Sequence, residues 1–137
     1  MSDPAYGIAR HVGVGYEEAL SMVREALKEQ GFGVLTEIDV KKTMKEKLDV
    51  DFKPYVILGA CNPPLAHQAL TAEPDIGLLL PCNVVVYEEG PAAAMVEAIA
   101  PLAALGVVGN PGLDQVAEQA QARLTAALDA VAARAGA

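Results

Sequence analysis

The segment Ala94-Met95-Val96-Glu97-Ala98-Ile99-Ala100 decides the fold. Its alanines favour a helix, because alanine loses no side-chain freedom there. Its short length and the proline at position 101 suit a strand equally well. Just upstream, Glu88–Pro91 reads as a turn, and Ile76–Tyr87 before it is the most hydrophobic run of the chain. Pro81 divides that run, since proline has no N–H to give to a strand ladder. Tyr55–Ala60, β-rich and placed beyond Pro54, predicts another strand.

Further from this segment the periodicity changes. In Tyr16–Gln30 the residues Ala19, Leu20, Val23, Ala26 and Leu27 form one apolar stripe, with Glu17, Glu18, Arg24, Glu25 and Lys28 facing outward. Gly31 stands where a helix uses a left-handed cap. A strand then begins at Phe32, Val34 and Leu35, and an earlier, imperfectly alternating one at Tyr6, Ile8 and His11–Val12. Asp39 predicts the cap of a short helix carrying Val40, Met44 and Leu48. Asn62 caps another, because Pro63 and Pro64 are tolerated in a first turn and Leu65, Ala66, Ala69 and Leu70 follow at helical spacing. Asn110-Pro111 marks a loop over Gly109–Gly112. Leu113, Val116, Ala117, Ala120, Leu124, Leu128 and Val131 trace one face of a last helix. With no regular βαβ rhythm, the expectation is an α+β fold: a largely antiparallel sheet with helices packed on one face.

The chain has 137 residues, enough for one domain over 1–137, and 53% hydrophobic residues suffice for a core without a disulfide framework or structural metal. A net charge of -8 opposes nucleic acid, which requires a basic footprint. The cluster Lys41, Lys42, Lys45 and Lys47 reads as the solvated side of the short helix. Ile76–Leu80 is too short to span a membrane, and no leader pattern precedes the first strand, so a cytoplasmic setting is expected, with both cysteines reduced.

Chemistry concentrates at Gly59-Ala60-Cys61-Asn62-Pro63-Pro64. Cys61 ends a strand and precedes a helix cap, where backbone amides and the helix dipole favour negative charge. A thiolate turned toward those amides would be stabilised, or an anion bound. Gly59 would permit close approach of a backbone or ligand. Cys82 repeats the pattern in Leu80-Pro81-Cys82-Asn83-Val84, and adjacent strands would bring the two Cys-Asn units to one end of the sheet. The candidate catalytic residues are Cys61 and Cys82; the candidate ligand-binding residues are Gly59, Asn62, Asn83 and His67. Against this, unpaired cysteines often serve as small buried hydrophobes, and His67 is readily explained as an ordinary surface histidine. No metal site is assigned: zinc would require further ligands, for which His67 and His11 are the candidates, and no CxxC occurs. Glu17–Glu18 and Glu88–Glu89 are surface charge. The glycines of Gly13-Val14-Gly15 and Gly106–Gly112 match no phosphate loop or dinucleotide fingerprint, and no serine elbow is present.

At these same units the chain resembles the bacterial and archaeal family called the domain of unknown function 302. The matching phrases are Tyr55-Val56-Ile57-Leu58-Gly59-Ala60-Cys61-Asn62-Pro63 and Leu79-Leu80-Pro81-Cys82-Asn83-Val84-Val85-Val86, with His67-Gln68-Ala69-Leu70 and Glu73-Pro74 between them. The resemblance extends over Tyr6–Leu128. It implies a domain related in topology to half of a TATA-binding protein, with a sheet of about five strands, often dimeric. It also implies that Ala94–Ala100 is a final strand and that the last helix crosses the sheet. It supplies no reaction and no cofactor. The functional expectation is a small-ligand, redox or interaction domain, its partner a small molecule or anion and a second copy of the chain. The alternatives are a thiol-dependent oxidoreductase or transferase using Cys61 and Cys82, and a structural or protein-binding domain.

Overall fold

The computed structural model describes residues 3–136. Five strands form one antiparallel sheet: β1 (Gly7–Val12), β2 (Gly33–Asp39), β3 (Tyr55–Cys61), β4 (Cys82–Gly90) and β5 (Ala93–Ile99), in the order β1-β5-β4-β3-β2. Helices α1 (Tyr16–Glu29) and α5 (Asp114–Ala135) lie side by side across one face. The expected α+β layering is therefore present.

The alanine-rich segment is a strand, and its position explains why. β5 lies between β1 and β4, directly beneath α1 and α5. Ala94 and Ala98 point into the core there and are buried. Small side chains let the helices approach the sheet closely, so tertiary packing overrides helix propensity. The turn after β4 is tighter than expected, since the strand continues to Gly90 and only Pro91 and Ala92 turn.

Local capping rules hold at several helix ends. Gly31 has φ 83°, and the bonds Gly31 N–H to Lys28 O and Phe32 N–H to Leu27 O close α1 as a Schellman motif. Asp39 accepts from the Lys42 amide at 2.9 Å and caps α2 (Val40–Leu48). None of the residues of α2 is buried, so its lysines are solvated as expected. α3 spans Pro63–Ala72, and Pro74–Leu79 forms a 3₁₀ turn before Pro81, whose peptide bond to Leu80 is cis. A short helix α4 (Pro101–Gly106), not anticipated from the sequence, joins β5 to the Asn110 turn.

The core has two parts. The larger joins the sheet to α1 and α5 through residues such as Leu27, Leu58, Val84, Val96, Leu124 and Leu128. The smaller lies among α3, α4 and the first half of α5, and is built from Leu65, Ile76, Leu105, Leu113 and Val116 with three alanines. β2 is an edge strand, exposed along most of its length, with a register shift between Val34 and Thr36.

Candidate functional site

The register of β3 with β4 brings the two Cys-Asn units to one end of the sheet. Ala60 faces Cys82 and Gly59 faces Asn83. Alternation then divides the site residues between faces. Cys82 and Ala60 share the helix-covered face, and Cys82 packs against the larger core. Gly59 and Asn83 belong to the open face, and His67 is exposed on α3. Cys61, the last residue of β3, pairs with Gly33 of β2.

Both cysteines border a cleft of about 280 Å³. Its walls come from both core clusters: Phe32 and Ala60 on one side, Leu65, Leu105 and Val116 on the other. Leu80 and Pro81 complete it beside Cys82, and its lining is almost entirely hydrocarbon. Of the expected ligand-binding residues only Asn62 lines this cleft, while Gly59, Asn83 and His67 do not. The apolar lining residues outside the Cys-Asn units were not singled out from the sequence. Their one signal is apolarity, which they share with the rest of the core.

The start of α3 lacks the amides that a stabilised thiolate or a bound anion requires. Pro63 and Pro64 are its first residues and carry no N–H. The third amide, of Leu65, donates to Asn62 Oδ1 at 3.4 Å. The three amides that follow the cap are thus missing or engaged, which leaves a negative charge little to meet there. Asn62 is the one buried polar residue among those described. Its Nδ2 donates to Gln30 O at 3.4 Å, tying α3 to the end of α1. Arg123 Nη1 donates to the same carbonyl at 3.3 Å. The asparagine is therefore a cap and a brace.

Gly59 also acts within the fold. A Cβ there would lie 2.1 Å from Thr36 Oγ1 and 2.7 Å from Pro81 Cγ. The approach that glycine permits is to the protein's own side chains. Of the two histidines that a zinc ion would require, His11 on β1 pairs with Glu89 of β4 at 2.8 Å. No cluster of three or more metal-ligating side chains occurs among the described residues.

The model of the family described as domain of unknown function DUF302 matches residues 8–131. The chain belongs to the DUF302 family. A solved DUF302 structure, the crystal structure of an uncharacterized conserved protein from Bacillus stearothermophilus, is 34% identical to it with a TM-score of 0.85. That match covers 93% of this chain and 98% of the other. No curated protein matches the chain. Membership in the DUF302 family accounts for the fold and brings no reaction with it. Among the described residues, no helix is long and apolar enough to cross a membrane.

In this DUF302 domain, burial is the main cause raising the Cys82 thiol from 9.0 to about 11, with the nearby Cys61 adding to it. A hundredfold smaller thiolate fraction at pH 8 is only partly offset by the higher nucleophilicity of a more basic sulfur. In a Cys61→Ser variant, iodoacetamide is expected to modify Cys82 about tenfold more slowly than a free thiol at pH 8. The rate should keep climbing until about pH 11. A plateau below pH 9 would show that the sulfur is not buried in this way.

Proposed function

We propose that this domain binds a small, largely apolar molecule in the cleft between its two core clusters, with Cys61 and Cys82 at the wall. The observation that carries the reading is the cleft itself: about 280 Å³ of hydrocarbon-lined space at the one place where both clusters and both cysteines converge. With two amides of its first turn missing and the third engaged by Asn62, α3 is a poor seat for an anion. An apolar body therefore fits better than a charged one. Asn62 keeps the start of α3 in place, and the thiols present soft, weakly polar surface to the occupant.

A neutral fluorescent probe, N-phenyl-1-naphthylamine, tests this directly. It should brighten and saturate with the native protein. Ala66→Phe, which fills the cleft from α3, should weaken its binding at least tenfold while circular dichroism stays unchanged. Equal binding by both proteins would place the probe elsewhere and sink the reading.

A thiol-exchange reading is favoured by one observation, that both sulfur-bearing residues border the same cleft. A Cys61 thiolate would attack a disulfide substrate and expel one half as a thiolate. Cys82, on losing its proton, would release the other half and leave a Cys61–Cys82 disulfide for a small thiol to reduce. The raised pKa of Cys82 makes that second step slow at neutral pH. This reading requires a mixed disulfide that accumulates in Cys82→Ser; its absence under excess disulfide would remove the reading.

A further inference from the structure

Four of the six aromatic residues lie away from the helices, around the open face of the sheet: Tyr6, Phe52, Tyr55 and Tyr87. Tyr55 and Tyr87 face each other across β3 and β4 and stack, with ring centroids 5.2 Å apart and planes 4° from parallel. The Lys53 ammonium already sits over the Tyr87 ring, 4.4 Å from its centroid. This aromatic surface therefore attracts cations within the protein itself.

Beside it is a carboxylate whose partner within the fold is the Tyr87 hydroxyl, a neutral group. Glu97 is half-buried at the middle of β5, flanked across the sheet by Ala9 and Val85. No lysine, arginine or histidine among the described residues forms an ion pair with it. A charge on the central part of a sheet gains nothing from burial unless something pairs with it. Glu97, Tyr6, Tyr55, Asn83 and Val85 together line a cavity of about 210 Å³. Tyr6 is 68% exposed, so its ring is open to a visitor. The negative charge of Glu97 also adds to burial in raising the Tyr55 hydroxyl.

We propose that this cavity holds a small organic ammonium ion, with Glu97 supplying the countercharge and Tyr6 and Tyr55 the aromatic walls. A single carboxylate beside aromatic rings and Val85 suits an alkylated nitrogen better than a metal ion, which requires several oxygen ligands. The net charge of -8 draws cations to the molecule. The site is on the opposite face of the sheet from the apolar cleft and does not depend on it.

Tetramethylammonium chloride, titrated into the full chain with sodium chloride holding ionic strength constant, is the test. The chain has no tryptophan, and Tyr6, Tyr55 and Tyr87 are three of its four tyrosines, so tyrosine emission reports the site. Amide shifts of β3, β4 and β5 locate it. A saturable response is expected, weakened at least tenfold in Glu97→Gln and clearly reduced in Tyr6→Leu, an exposed change that leaves folding intact. Val107→Ala, an exposed change outside both cavities, should bind as the native chain does. A response that never saturates overturns the proposal, as does an equal response to the neutral isostere tert-butanol or undiminished binding by Glu97→Gln. A concentration-dependent dimer that shields Tyr6 and abolishes the response would also overturn it, assigning the face to a second copy of the chain.

Discussion

Replacing Gly59 with alanine is expected to lower the unfolding free energy by about 2–3 kcal/mol, and the melting temperature by roughly 8–12 °C. The new methyl would meet Thr36 Oγ1 and the Pro81 ring at 2.1 Å and 2.7 Å, well inside contact distance. Thr36 can rotate away at modest cost, but the proline ring has no comparable freedom. A Thr36→Ala change in the same background should therefore recover part of the loss and leave the proline clash in place. Urea unfolding of the two variants measures both effects. A Gly59→Ala protein within about 0.5 kcal/mol of the native one would show that the strands separate to admit the methyl.

The largest loss is expected from Leu124→Ala. Leu124 is fully buried where α5 crosses the sheet. Truncation removes its transfer free energy and leaves a cavity that the rigid sheet cannot collapse to fill, a loss of about 3–5 kcal/mol. Leu78→Ala is the matched control, since Leu78 is 88% exposed and the same chemical change there should cost less than about 0.5 kcal/mol. If the Leu124 variant loses under 1 kcal/mol by the same measurement, the larger cluster is not the principal source of stability.

Much of this architecture was legible in the sequence, because periodicity reports which face of an element is buried. The stripes of α1 and α5, the caps Asp39 and Asn62, and the division at Pro81 all stand where the pattern places them. Ala94–Ala100 was ambiguous locally, and only its place between two strands and beneath two helices makes small residues the right ones for a strand. The pairing of the Cys-Asn units followed from reading their strands as neighbours. The cleft did not follow, because it lies where two clusters meet, and no spacing along the chain records that meeting. Pro63 and Pro64 suit a first turn because they lack an N–H, and the same lack takes away two of the donors that an anion there requires. Glu97 likewise looks ordinary in the sequence; only the register reveals a carboxylate between Ala9 and Val85 that pairs with no cation among the described residues.

The edge strand β2 has a consequence for solubility. A long, regular border of free peptide groups is a template onto which further chains can zip without limit. Here the displaced register at Val34 and Thr36 interrupts that border, and the ion pair of Glu37 with Arg24 sets charged groups along it. The rim of the sheet thus resists growing into fibrils, though Leu35 and Ile38 leave it greasy.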